Sequence, residues 1–315
     1  MTEAAAPSAV PAAAQLGQTR ADRFARWRRG EAARGLTLVS PALIYALLLL
    51  AAPMGMIVAL SFATQTYLTI DWSPSLANYH EAWIDPQESE MYRALMGRSL
   101  AISGAVTAIT VLLAFPIAYF VSFHVAPRRK ALWIFLITIP FWTSYLLRVF
   151  LWKVILQENG VVNSILMGAG VIDTPLDMLF SPDAIIITLA HAWAPFAILP
   201  IYVALEKIDR SLLEAARDLG ENRIVTFWRV TLPLALPGVV AAALIVFIPT
   251  IGDYVTPALI GGGRVPMIAN MIQAQFMVLN NRPMGAALAI SAMVVVAVIA
   301  ILFLLLNRRF LKVRQ

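Results

Sequence analysis

Long apolar stretches without a charged residue recur along the chain and dominate its hydrophobic pattern. A membrane-spanning α-helix needs about 20 mostly apolar residues, and five of the stretches reach this length outright. A sixth stretch begins at residue 131 and meets Arg148, but a long arginine side chain can carry its charge to the membrane interface. The pattern therefore predicts six transmembrane helices, at about 36–62, 98–123, 131–153, 184–205, 233–252 and 285–307.

Two further uncharged segments are not interpreted as spans. Residues 159–172 form a short, glycine-rich segment, and residues 265–281 carry asparagine and glutamine side chains, which is typical of an interfacial segment. Prolines lie inside most of the predicted spans, and each frees a backbone carbonyl that a neighbour or water must satisfy. These prolines are either ordinary kinks or kinks at mid-depth that allow a pathway to open and close.

The distribution of basic residues predicts the orientation of the helices. If both termini lie inside, 18 of the 24 Lys and Arg residues fall in the four inside segments, 1–35, 124–130, 206–231 and 308–315. Such an excess is what cytoplasmic loops of membrane proteins carry. We therefore expect both termini to be cytoplasmic, with residues 1–35 as a disordered basic cytoplasmic tail ahead of an uncleaved first helix.

The composition excludes several classes of protein. Of the 315 residues, 60% are hydrophobic and only 13% are charged, whereas a soluble domain carries about 25% charged residues. A soluble globular domain, a disordered chain and a nucleic-acid-binding protein are therefore not expected, and the partner that composition predicts is the lipid membrane. The absence of cysteine excludes disulfides and thiolate chemistry.

One predicted inside loop, residues 206–231, differs from the others because it is long and carries five acidic and five basic residues. Ser211 and Glu214 have the spacing of a capping box at a helix N-terminus, and the apolar residues that follow recur at helical spacing. Gly220 stands where a left-handed residue would end that helix, and Asn222 can cap a second short helix. Pro233 is tolerated in the first turn of the next span.

Seven residues of this loop, at fixed spacing, resemble the EAA loop of ABC importer permeases: Glu214, Ala215, Ala216, Gly220, Val230, Leu232 and Pro233. The family usually has isoleucine at the Val230 position. The resemblance implies that these residues couple the chain to an ATPase subunit, with the loop docking in a cleft of that subunit. It also implies an all-α polytopic membrane protein with the type I ABC importer permease fold.

Four further segments, 139–148, 247–254, 257–262 and 271–290, look like the spermidine/putrescine permease subfamily. The resemblance implies a permease domain over 36–312, in the bacterial inner membrane, with an alternating-access path for polyamines. The implied partners are a homologous permease subunit, an ABC ATPase dimer that binds ATP and Mg, and a periplasmic solute-binding protein. The alternatives are an ABC permease for another solute, such as an aminophosphonate or iron, or a secondary transporter.

The chain carries no recognisable catalytic motif. A phosphate-binding G-x-x-x-x-G-K-[ST] loop and an H-E-x-x-H zinc motif are both absent from the sequence. We therefore expect a permease subunit that is not an enzyme, without catalytic residues, metal ligands or a cofactor of its own.

Asp253 is the most informative candidate for a substrate path. It follows Pro249 and Gly252, so the fifth span is expected to end there, and a cation crossing the membrane favours carboxylates and aromatic faces. Asp253 either lines a vestibule, with Tyr254 beside it, or is a plain acid at the helix end. Candidate path residues are therefore Asp253, Tyr254, Trp142 and Tyr145. Arg148 would repel a polyamine and is expected to extend outward or to pair with a carboxylate.

Overall fold

The structure is a computed structural model that describes residues 31–67 and 69–311. Residues 1–30, most of the predicted tail, lie outside it. The chain divides into two compact units, residues 1–57 and residues 58–315. Helix α1, Glu31–Ser61, contains the first predicted span, and its apolar side chains from Leu38 onward are mostly exposed.

A short β-hairpin and a short helix follow α1. Strands β1 (Thr64–Thr66) and β2 (Thr69–Asp71) form an antiparallel hairpin, with Thr64 opposite Asp71. Helix α2, Ala77–Trp83, comes next. The buried Asn78 amide donates hydrogen bonds to the backbone carbonyls of Ser61 and Ala63, so α2 is held at the point where α1 ends.

Helix α3, Ser89–Phe123, begins nine residues ahead of the predicted second span. Its interior face carries hydroxyl groups that bond to the helix itself. Ser99 Oγ donates to the Leu95 carbonyl at 2.9 Å, and Thr110 Oγ1 donates to the Val106 carbonyl at 2.6 Å. Polar side chains satisfied in this way can be buried in an apolar bundle without loss of hydrogen bonding.

The third predicted span is not one continuous helix. Helix α4, Pro127–Thr138, passes into a 3₁₀ turn, Ile139–Trp142. The chain then turns through 85° before helix α5, Tyr145–Leu156. Pro140 explains the break, because proline lacks the amide hydrogen that an α-helix needs and tightens the turn. The predicted span over 131–153 is therefore a bent pair of helices, which together are long and apolar enough to cross a membrane.

Helices α3, α7 (Pro182–Glu206) and α10 (Leu232–Ile251) form the centre of the bundle. Their apolar side chains share one buried cluster. Gly238 of α10 allows the closest approach, because a Cβ added there would lie 2.4 Å from Ala204 Cβ and 2.6 Å from the Pro200 carbonyl of α7. Small residues let membrane helices pack at short distance.

Six further helices are present in the described part of the chain. They are α6 (Val161–Gly168), α8 (Arg210–Asp218), α9 (Arg223–Thr226), α11 (Val255–Leu259), α12 (Ile268–Met277) and α13 (Arg282–Leu311). Helices α12 and α13 pack together around a second apolar cluster. Within residues 31–67 and 69–311, five helices are long and apolar enough to cross a membrane, or six if the bent pair counts as one span.

Candidate functional site

The helix of the loop 206–231 begins two residues earlier than the predicted capping box requires. Helix α8 starts at Arg210, and its N-cap is Asp209, whose Oδ1 accepts a hydrogen bond from the Ser211 amide at 3.0 Å. The hydrogen bonds from Ser211, backbone first, lower the pKa of Asp209. The predicted Ser211–Glu214 capping box is therefore wrong. A carboxylate is a stronger acceptor for the positive helix end than a hydroxyl.

The C-terminus of α8 has the predicted left-handed glycine. Gly220 has a φ of +84°, its amide donates to the Arg217 carbonyl at 2.9 Å, and the Glu221 amide donates to the Ala216 carbonyl at 3.1 Å. These two bonds define a Schellman motif. A Cβ at Gly220 would meet nothing within 4 Å, so the backbone conformation, not space, requires glycine here.

The second half of the loop is continuous with the next span. The predicted cap is confirmed, because Asn222 Oδ1 accepts a hydrogen bond from the Val225 amide at 2.8 Å. Helix α9 passes without a break through a π-helical turn, Phe227–Thr231, into α10. A displacement of the loop therefore acts directly on a helix at the centre of the bundle.

The seven EAA-like residues differ in burial along the loop. Ala216 is buried against the rest of the chain, whereas Glu214, Ala215 and Gly220 are exposed. Val230, Leu232 and Pro233 are half-buried at the start of α10. The loop also exposes large apolar side chains: Leu212, Leu219, Ile224 and Trp228. Apolar side chains grouped on a polar loop indicate a surface for another protein.

A second polar site lies where α5, α7 and α11 meet. Tyr145 donates from its hydroxyl to Asp253 Oδ2 at 2.5 Å, and the same hydroxyl lies 2.7 Å from Thr256 Oγ1. The other carboxylate oxygen, Asp253 Oδ1, accepts from the Val255 amide at 2.9 Å. The structure thus brings together two of the four predicted path residues, Tyr145 and Asp253, and adds Thr256, which the sequence analysis missed.

The other two predicted path residues are placed differently. Tyr254 follows Asp253 directly and has a half-exposed side chain, while its carbonyl accepts a hydrogen bond from Asn270 Nδ2 at 2.8 Å. Trp142 ends the 3₁₀ turn, and 80% of its surface is exposed. Among the described residues, Trp142 has no part in the hydrogen bonds around Asp253.

Arg148 does not extend outward, and no carboxylate among the described residues pairs with it. Only 9% of its surface is exposed, and Nη1 donates to the Ala192 carbonyl of α7 at 3.0 Å. Its guanidinium carbon lies 5.8 Å from the centre of the Tyr145 ring, while Nε has no hydrogen-bond partner within residues 31–67 and 69–311. The expectation that Arg148 would snorkel or form an ion pair is wrong. A carbonyl and an aromatic face supply the negative potential instead.

Three residues of α5 with hydrogen-bonding side chains form one stripe that the sequence could have revealed. Tyr145, Arg148 and Trp152 stand at spacings of three and four, so they share one helix face. Trp152 Nε1 donates to His191 Nδ1 of α7 at 3.1 Å.

Within the described ranges, no group of three or more acidic or histidine side chains could hold a metal ion.

Comparison with known proteins gives consistent matches. A family model described as "Binding-protein-dependent transport system inner membrane component" matches residues 111–312. The spermidine/putrescine transport system permease protein PotB of Haemophilus influenzae is 36% identical over 262 residues, which cover 82% of this chain and 90% of that protein. PotB of Escherichia coli K12 is 34% identical, with coverages of 80% and 90%.

Solved structures of similar shape are also transporter subunits. A bacterial ABC transporter involved in the import of the acidic polysaccharide alginate matches with a TM-score of 0.68 at 19% identity, covering 91% of this chain and 99% of that chain. The inward-facing MetNI methionine ABC transporter matches with a TM-score of 0.54 at 17% identity, with coverages of 72% and 99%. At such identities the likeness concerns the fold alone.

Proposed function

The chain belongs to the family of binding-protein-dependent transport system inner membrane components, and we propose on this premise that it forms a polyamine path in an ATP-driven importer. The family and the structural likenesses confirm the predicted fold, an all-α polytopic membrane protein with the type I ABC importer permease fold. The chain is a multi-pass inner-membrane permease and not an enzyme. The observation that carries the solute assignment is the identity of 36% to PotB over most of both chains.

The proposed complex contains four kinds of component. This chain pairs with a homologous permease, as suggested by a match over 68 residues to a PotC homolog of Mycoplasma pneumoniae. A periplasmic solute-binding protein delivers the solute; a structure similar to this chain was solved with its periplasmic protein bound. An ABC ATPase dimer binds ATP and Mg and hydrolyses the nucleotide, since this chain has no phosphate-binding loop.

The loop 206–231 is the proposed contact with the ATPase. Its exposed apolar side chains, including Leu219 and Trp228, would be buried in a cleft of that subunit. ATP binding closes the ATPase dimer and displaces α8. The bundle then switches between inward-open and outward-open states, because the ATPase adds a free-energy bias between two pre-existing conformations.

Asp253 is the proposed contact for a solute ammonium group. Its Oδ2 is held by the Tyr145 hydroxyl in the present state, and an ammonium group can replace that hydroxyl with a charge-assisted hydrogen bond. The aromatic ring of Tyr145 offers a second favourable surface for a cation. Tyr254 and Trp142 are proposed to line the same path from its half-exposed and exposed sides.

An anionic solute is the second candidate, and Arg148 favours it. This arginine is buried, and its Nε has no partner among the described residues, so it could hold a phosphonate group of a solute such as an aminophosphonate. Asp253 opposes that assignment, because its carboxylate would repel the same group.

Uptake by the reconstituted complex tests the solute assignment. Proteoliposomes that contain both permeases and the ATPase, with the binding protein added, should accumulate radiolabelled spermidine only when ATP is supplied. Unlabelled putrescine should compete, whereas an aminophosphonate and ferric iron should not. Competition by the aminophosphonate alone would assign the anionic solute, and uptake driven by an ion gradient without ATP would assign a secondary transporter.

The orientation of the chain is a further prediction. The excess of basic residues in the proposed inside segments places both termini in the cytoplasm. Fusions of alkaline phosphatase and green fluorescent protein at residues 128 and 312 should report a cytoplasmic location, and fusions at residue 85 a periplasmic one. Residue 312 lies outside the described ranges, so the fusion reports on it independently. A periplasmic signal at 128 would reverse the topology.

A further inference from the structure

The carboxylate of Glu206, at the end of α7, is surrounded by partners from three helices. Lys130 of α4 lies 2.5 Å from Oε1 and 2.8 Å from Oε2. Tyr202, one turn earlier on α7, donates to Oε2 at 2.7 Å, and Ser122 of α3 donates to Oε1 at 3.4 Å. We call these four residues the Glu206 cluster. Both carboxylate oxygens are used, and α3, α4 and α7 are joined at one point.

Lys130 is more enclosed than the basic partner of the other ion pair found in the described part of the chain. Lys130 has 12% of its side-chain surface exposed and Glu206 has 34%. In the pair Arg229–Glu221, the arginine side chain is 72% exposed and the glutamate side chain 24%, and a single contact of 2.7 Å joins the partners. Water screens an enclosed pair less, so its geometry is held more firmly.

The Glu206 cluster also reaches the helix that is proposed to contact the ATPase. Arg210, the first residue of α8, donates from Nη2 to the Ser122 carbonyl at 3.3 Å. Only residues 207–209 separate the end of α7 from the start of α8. Ile208, in the middle of this connection, is buried. Residues on both sides of this connection, Glu206 and Arg210, therefore form hydrogen bonds with Ser122 of α3.

We propose that Glu206 is a positioning residue for energy coupling, which holds the joint between α7 and α8 rigid through Lys130, Tyr202 and Ser122. The proposal rests on the proposed function, in which the ATPase displaces α8. A few connecting residues can absorb the movement of a helix by changing their backbone angles. With the Glu206 cluster intact, a displacement of α8 moves α3, α4 and α7 together. With the cluster broken, residues 207–209 absorb part of the displacement and ATP is hydrolysed without transport.

The ratio of ATP hydrolysed to solute imported measures this role directly. In proteoliposomes of the full complex, E206Q should raise the ratio by about five-fold or more, a typical size for coupling between sites, with the ATPase rate largely retained. E90Q is the control, because it neutralises the same residue type at an exposed position of α3 outside the loop 206–231, and it should keep the wild-type ratio. The charge-swapped pair K130E/E206K should recover most of the coupling.

Several outcomes would overturn the positioning role. A wild-type ratio in E206Q would do so, as would an equal rise in E90Q or a charge swap that restores nothing. If the E206Q complex fails to assemble, Y202F removes one hydrogen bond to the same carboxylate and should raise the ratio by a smaller factor; a wild-type ratio in Y202F then overturns the proposal. Wild-type proteoliposomes that import no polyamine would overturn the proposed function instead.

Discussion

Substitution of Gly220 by valine should reduce ATP-driven uptake by about ten-fold or more, because a left-handed conformation costs an ordinary residue about 1–2 kcal/mol and a β-branched one more. At a φ of +84°, this glycine lets both hydrogen bonds of the Schellman motif close α8. Nothing lies within 4 Å of a Cβ at this position, so the expected effect does not come from a clash. A strained backbone here would change the angle between α8 and α9.

Substitution of Gly220 by asparagine is the matched control. Like valine, asparagine adds a side chain at this position. Unlike valine, it adopts the left-handed conformation more readily than other non-glycine residues. Uptake by the G220N complex should therefore stay close to wild type. Co-purification of the ATPase with each variant separates lost docking from lost switching. Normal uptake by the valine variant would show that the shape of the loop at Gly220 does not matter for coupling.

Substitution of Asp253 by asparagine should raise the apparent KM for spermidine by about ten-fold, because a hydrogen bond to an ionised group is stronger than a neutral one by about 1 kcal/mol or more. Asparagine keeps the shape of the side chain and can still accept from the Val255 amide. The variant therefore removes the charge with little change to the backbone at the end of α10. Initial rates of uptake over a range of spermidine concentrations measure the effect.

Tyr145→Phe should change the same parameter in the opposite direction. Its hydroxyl occupies Asp253 Oδ2 at 2.5 Å, so its removal frees that oxygen for the solute, and the apparent KM should fall. The two variants together distinguish a direct contact from a general disturbance, which would raise KM in both. An unchanged KM in D253N would remove Asp253 from the solute path.

Features that depend on a few neighbouring residues could be predicted from the sequence. Gly220 and Asn222 were identified as helix caps, and the structure confirms both, because a cap is formed by atoms within about four residues of each other. The Ser211–Glu214 box failed for a related reason. Asp209 and Ser211 can both cap a helix and lie two residues apart. Which of them caps α8 depends on where α7 ends, and the structure shows that it is Asp209.

The third span shows the limit of hydrophobic patterns. Length and composition correctly indicate enough apolar residues to cross a membrane between 131 and 153, but they do not define the path of the backbone. Pro140 was visible as a possible kink, and only the packed structure shows that the chain passes through a 3₁₀ turn and bends by 85°. Surrounding helices decide whether a proline bends a helix slightly or breaks it.

The sequence by itself determined the class of protein, the number of apolar segments and the caps formed by Gly220 and Asn222 in the loop 206–231, because hydrophobicity and capping act over at most one helix length. The tertiary structure alone decided which polar groups meet. Arg148 donates a hydrogen bond to the Ala192 carbonyl. Tyr145 donates to Asp253, 108 positions away in the sequence, and Lys130 donates to Glu206, 76 positions away. These contacts arise when helices pack, since a buried polar group must find its partner wherever the fold brings one within reach.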